Sequence, residues 1–171
     1  MFFLRKPKLE SLPIAMCGVR MGERALQIGI DDPSLAGAIA SKVGLSGQAA
    51  IVVSDDRAAE SARNAAAKAG ALADVHVAPL TTMPFAESAF DVAVLHSTKG
   101  WLAALADNDR HAVVRETLRV LRTGGRLVVI ESTRGGAGIG VDALTQGGFR
   151  AARILAEREG YRFTEGLKPG V

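Results

Sequence analysis

Apolar and polar positions along this chain switch repeatedly between two spacings. Dense apolar runs recur at residues 25–30 (ALQIGI), 49–54 (AAIVVS), 90–96 (FDVAVLH) and 126–131 (RLVVIE), and residues 73–80 (ADVHVAPL) alternate with period two and stop at Pro79. Short runs rich in Val and Ile predict strands, and a near-continuous one such as 126–131 predicts a central strand buried on both faces. Segments with helical spacing lie between them. Residues 32–44 predict a helix that starts near Pro33 or Ser34 and stops at Gly44, and the Ala-rich residues 57–70 predict another that ends at Gly70. Residues 107–125 show the clearest helical pattern. Asn108 or Asp109 can cap it, Val113, Val114, Thr117, Leu118, Val120 and Leu121 share its apolar face, and Gly124 and Gly125 provide the stop. Residues 132–148 read as a glycine-rich loop, 149–160 as a final amphipathic helix and 161–168 as a last short strand. This alternation predicts an α/β fold, a Rossmann-like three-layer αβα sandwich around a mainly parallel sheet of six strands.

Composition narrows the picture further. A chain of 171 residues, 48% hydrophobic and 23% charged, matches one globular domain. No repeat or shift in composition marks a second unit, so residues 1–171 read as a single domain with residues 1–17 as an N-terminal arm. With a single cysteine, Cys17, no intrachain disulfide can form, and together with three scattered histidines it makes no structural zinc site. No stretch approaches the ~18–20 apolar residues of a membrane helix, and the apolar start before Pro7 is too short for a signal peptide, so a cytoplasmic protein is expected. The net charge of +3 and the scarcity of aromatic residues, 5%, make nucleic acid an improbable partner.

In a parallel sheet of this kind, ligands bind beyond the carboxyl ends of the strands, where the strand order reverses. The segments that reach this rim are Gly29–Pro33, Asp55–Asp56, Pro79–Leu80 and His96. Three stretches bear on what the rim holds: GVRMGERALQIG (18–29), MPFAESAFDVAVLH (83–96) and RETLRVLRTGGRLVVIE (115–131). Together they resemble the class I S-adenosylmethionine-dependent methyltransferase domain, in its type 11 branch, over residues 18–168. The resemblance implies S-adenosylmethionine as cofactor and a small molecule as methyl acceptor. It implies contacts from Gly29, Ile30 and Asp31 near the methionine end, from Asp55 or Asp56 to the ribose hydroxyls, and from Leu80 and His96 along the rim.

The chain departs from the family pattern at several of these positions. Its first loop reads Gln27, Ile28, Gly29, Ile30, Asp31, Asp32, Pro33, so one glycine of the expected Gly-x-Gly-x-Gly remains and Gln27 replaces an acid. Pro79 stands where an acid after the third strand is usual, and only residues 161–168 are left for the family's C-terminal hairpin, which predicts that one hairpin strand is missing and that the last strand lies parallel to its neighbour. A degraded cofactor loop supports an alternative: a catalytically inactive methyltransferase-like module that binds or oligomerises, for instance as a homodimer through an edge strand or helix. A nicotinamide enzyme is a third possibility, but Gly29-x-Asp31-x-x-Ser34 fails the dinucleotide fingerprint.

Each candidate also has a plainer structural role. Asp55 or Asp56 and Asp31 or Asp32 can serve as helix N-caps. His96 can be a general base or a hydrogen-bonded loop residue. His76 and His111 read as structural or solvent-facing. Trp101 can flank a substrate pocket or pack in the core. Arg115, Arg119 and Arg122 can form a solvated stripe, and residues 134–140 (RGGAGIG) a flexible linker in place of a phosphate cradle.

Overall fold

The structure is a computed structural model that describes residues 11–170. Its elements run α1 (Leu12–Cys17), β1 (Arg24–Ile28), α2 (Pro33–Val43), β2 (Gln48–Val53), α3 (Asp56–Lys68), β3 (Asp74–Val77), β4 (Phe90–Ser97), α4 (Trp101–Ala104), α5 (Asp107–Val120), β5 (Leu121–Ser132), α6 (Val141–Gln146), β6 (Arg150–Arg158) and β7 (Tyr161–Leu167). Of the expected N-terminal arm, residues 1–10 lie outside the described residues, whereas 12–17 form α1 and bury Ile14 and Cys17.

The sheet has seven strands in the order β3-β2-β1-β4-β5-β7-β6. The strands from β3 to β5 pair in parallel, and β7 is antiparallel to both β5 and β6. The continuous apolar runs fall where burial on two faces requires them: Ile28, Val52, Leu95 and Val129 face one core with Leu102, Val113 and Leu144, and Val94, Val128 and Ile130 face a second with Ile14, Leu35, Ile39 and Phe163. The strand order reverses between β1 and β4, so the crevice of this fold opens between the segments that leave those two strands.

The class expected from the sequence is observed, and the C-terminal third corrects its details. The sheet has seven strands instead of six, and no hairpin strand is missing. Residues 149–160, expected as an amphipathic helix, form the edge strand β6, and the last strand runs antiparallel beside β5 instead of parallel. The two strands turn through Glu159 and Gly160, both at positive φ (53° and 80°), the signature of a tight hairpin turn. Two register shifts in β6, between Arg150 and Arg153 and between Ile154 and Ala156, break its period-two pattern, which is why its spacing looked helical. Cross-strand pairs hold the hairpin: Arg153 to Glu165 at 3.1 Å and Arg162 to Glu157 at 2.7 Å.

Smaller shifts have local causes. The helix expected over 107–125 stops at Val120, because Leu121 already pairs with Phe90 as the start of β5. Its N-cap is Ala106, with Asp107 and Asp109 in the first turn where the helix dipole favours acids. At its C-terminus, the Lys168 ammonium donates to the carbonyl of Leu121 at 2.7 Å, supplying a partner that the helix end lacks. The expected loop at 132–148 also contains one short helix, α6. No helix among the described residues is long and apolar enough to cross a membrane.

Candidate functional site

The rim at the carboxyl ends of β1 and β2 carries a cleft of about 470 Å³, within the ~300–1,000 Å³ typical of small-molecule sites. Its lining includes Gly29, Ile30 and Asp31 after β1, Val53 and Asp55 at the end of β2, and Leu80 and Thr81 after β3. Trp101, Leu105, Asp109 and Val113 close it from α4 and α5. Of the residues singled out in the sequence, Gly29, Ile30, Asp31, Asp55 and Leu80 therefore meet around one cavity. Asp56 and His96 are not among its lining residues.

The two acidic pairs divide their roles. Asp55 caps α3, its Oδ1 accepting from the Ala58 amide at 2.8 Å, and the same side chain borders the cleft. Asp56 falls in the first turn of α3. Asp32 caps α2 by accepting from the Ser34 amide at 3.0 Å. Asp31 instead reaches across the rim, where its Oδ2 accepts from the backbone amide of Lys99 at 2.7 Å. The loop after β1 is thereby tied to the segment after β4.

A second contact reinforces that tie. The Trp101 indole Nε1 donates to the carbonyl of His96 at 2.7 Å. This anchors the ring directly over Gly29, where a Cβ would lie 2.7 Å from Nε1 and 2.8 Å from Cε2 and Cζ2. Gly29 has a φ of +78°, so both its backbone conformation and the indole require glycine. The close approach that this loop permits is made, in the structure, by the protein's own tryptophan.

Charge on the cleft is one-sided. Among the described residues its lining contains Asp31, Asp55 and Asp109 and no Lys, Arg or His, so it favours ligands that donate hydrogen bonds and disfavours phosphates and free carboxylates. Ile30, Leu80, Leu105 and Val113 offer apolar surface suited to a flat ring.

His96 is only 1% exposed. Burial lowers its pKa, against the opposing pull of Asp31 and Asp32, so the imidazole is neutral near pH 7. Its Nδ1 has no hydrogen-bond partner, and it shares a sheet face with its register partner Ile130. Glu131, which the sequence reading passed over, is the penultimate residue of β5 and is 4% exposed. Its Oε1 accepts from the Gly138 amide at 2.7 Å, and its Oε2 has no partner. Burial raises its pKa, against hydrogen bonds from the Gly138 and Ile139 amides. The glycine-rich loop is thus fastened to the rim by Glu131. The signal available in the sequence was an acid closing an apolar strand.

Two arginines of the basic stripe, and Arg126 beyond it, are held in ion pairs. Arg119 pairs with Glu116 at 2.8 Å, Arg122 with Asp91 at 2.7 Å and Arg126 with Glu23 at 2.9 Å.

The adenosyl and methionyl parts of S-adenosylmethionine fare differently in this cleft. A purine and a ribose diol match its apolar walls and Asp55. By contrast, the end near Gly29 is taken up by the Trp101 ring and the Asp31 carboxylate.

Comparison with known proteins agrees with the architecture. The methyltransferase domain family matches residues 34–129, more than half of the chain. The fold is similar to that of an S-adenosylmethionine-dependent methyltransferase from Aquifex aeolicus, with 14% identity, coverage of 91% of this chain and 87% of that one, and a TM-score of 0.76. It is also similar to the [4+2]-cyclase SpnF, with 18% identity, coverage of 93% and 79%, and a TM-score of 0.71. A structure of PigF with S-adenosylhomocysteine shares 20% identity, with coverage of 85% of this chain and 50% of that one and a TM-score of 0.63. No curated protein matches the chain at significant similarity.

Proposed function

The chain belongs to the methyltransferase domain family, and we propose that it acts as one methyltransferase-like domain that binds an adenosyl ligand in the cleft beside Gly29 and Asp55. The observation that carries this reading is the convergence of Gly29, Ile30, Asp55 and Leu80 on a single cavity at the strand-order reversal. Asp55 takes the ribose diol with the carboxylate oxygen not used as a cap. Ile30, Leu80, Leu105 and Val113 enclose the base. S-adenosylmethionine is the ligand that the family implies, and it would supply an activated methyl group for a small-molecule acceptor. The chain's own part in such a reaction is to orient the adenosyl group and shield it from water.

Titration calorimetry with S-adenosylmethionine and S-adenosylhomocysteine, backed by thermal shift, tests the reading, because a ligand bound only to the folded state must raise the melting temperature. Saturable binding that weakens in Asp55→Ser supports it. No heat and no shift with adenosine, S-adenosylmethionine or S-adenosylhomocysteine at millimolar concentration contradict it.

The second reading, a module that no longer transfers methyl groups, is favoured by the indole over Gly29 and the tie from Asp31 to Lys99. The similarity to a cyclase of the same fold is in keeping with it. A homodimer built on the β6 edge would have to overcome the register shifts and the arginines of that strand, features that oppose edge pairing.

A further inference from the structure

Gly29 and Trp101 form a closure with an identifiable consequence for ligand choice. The indole is held from two sides: its Nε1 donates to the His96 carbonyl at 2.7 Å, and its ring rests on the bare backbone of Gly29. Beside it, the Asp31 carboxylate accepts from the Lys99 amide at 2.7 Å. The indole's seat on Gly29 and the Asp31 bond to Lys99 join the loop after β1 to the start of α4 and the segment before it. Trp101 and Asp31 line the same cleft as Asp55 and Leu80.

For a nucleoside that sets its ribose diol against Asp55 and its base among Leu80, Leu105 and Val113, the lining left to its 5′ carbon is that of Gly29, Asp31 and Trp101. Any group on that carbon then meets the indole edge and the Asp31 carboxylate. A hydrogen, hydroxyl or methylthio group is small and uncharged. An amino-acid tail is long and zwitterionic, with a carboxylate that Asp31 repels and an ammonium that it attracts, so it is the bulk of the tail against the indole that counts.

We propose, on the basis of the adenosyl reading above, that Trp101 is a specificity-determining latch. With the indole on Gly29, the cleft takes a neutral nucleoside with a small 5′ substituent, and it admits an amino-acid tail only when the indole leaves. Trp101 would then set which adenosyl compounds the domain recognises.

Trp101 is the sole tryptophan in the sequence, so its emission reports on the latch directly. Calorimetry on the full chain should find adenosine binding at least tenfold tighter than S-adenosylhomocysteine. Trp101→Ala should narrow the preference for adenosine over S-adenosylhomocysteine at least tenfold. Trp101→Phe keeps a ring over Gly29 and loses the tie to His96, and it should fall between the two. In the unmutated protein, saturation with S-adenosylhomocysteine should move the emission maximum to the red as the ring enters water, whereas adenosine should not. This spectroscopic reading stands even where a variant fails to fold. Equal affinities with unshifted emission would overturn the latch and leave the cleft reading intact. If neither ligand binds the unmutated protein or any folded variant, the cleft reading itself fails, and the latch with it.

Discussion

Asp55 shows how much one side chain can carry at this rim. Its Oδ1 caps α3, and the same carboxylate borders the cleft, so substitution must separate two effects. Asp55→Ala should cost about 1 kcal/mol of stability through the lost cap. Asp55→Ser keeps a capping oxygen, so it should leave the melting temperature nearly unchanged while weakening adenosyl binding about tenfold, the loss expected when a hydrogen bond to a charged group goes. Equal stability and equal affinity in both variants would remove Asp55 from the site. Glu131 offers a second test. Burial raises its pKa, so its ionised form is penalised in the folded state, and its stability contribution is greatest at low pH and lost as pH rises through the raised value. Glu131→Gln keeps the acceptor for the Gly138 amide and sheds the charge, so its melting temperature at pH 8 should equal or exceed that of the parent. Glu131→Ala leaves that amide without its partner and should be destabilised by about 1–3 kcal/mol. Gly29 and Asp55 were legible as rim residues because each follows an apolar run that ends in a strand, although Asp55 read equally well as the N-cap that it also is. Asp109 and Val113 were not, because they reach the cleft from a helix whose tilt no periodicity encodes.

At the scale of elements, strands and helices buried on regular faces could be read from spacing, and elements shaped by their neighbours could not. The segments 49–54, 90–96 and 126–131 are strands because continuous Val and Ile runs fit only between two layers. β6 went unrecognised because an irregular edge strand buries few side chains: its register shifts twice and Ile154 is 51% exposed. What makes it a strand lies in β7, whose Glu165 and Arg162 pair with Arg153 and Glu157. The contact between α2 and α3 allows a quantitative test. A Cβ at Gly37 would stand 2.7 Å from the carbonyl oxygen of Ala65, so the two helices pack backbone against backbone there. Alanine favours a helix over glycine by ~1 kcal/mol. The rigid backbone oxygen reverses that gain, and Gly37→Ala should lower stability by about 1–3 kcal/mol through overpacking. Chemical denaturation checks the sign, and a stabilised variant would show that α2 and α3 can move apart freely.

For the whole molecule, the order of the strands decides where chemistry can occur. The reversal between β1 and β4 places the cleft at one end of the sheet, and the opposite end is clamped by charge. There Asp91 accepts from the Arg24 amide at 2.7 Å and from the Arg122 Nε at 2.7 Å, while Arg126 holds Glu23. Burial pushes the Asp91 carboxyl up, and the bonds from Arg24 and Arg122 outweigh it, bringing it down to about 2. A carboxyl held below its unfolded value contributes stability that is fully present above about pH 4 and lost as pH falls towards 2. Acid unfolding should therefore steepen in that window. Asp91→Asn should flatten it and cost about 1–2 kcal/mol at pH 7, a figure reduced by solvent screening of the half-exposed arginines.

The central claim is that an adenosyl group lodges between Gly29 and Asp55. Its most direct test is a titration of isotope-labelled protein with adenosine, followed through the backbone amide resonances. The account predicts saturable shifts concentrated at Gly29, Ile30, Asp55, Leu80 and Thr81, with Leu45 and Leu72 at the far end of the sheet unmoved. Shifts confined to that far end, or no shifts at millimolar adenosine, would contradict it.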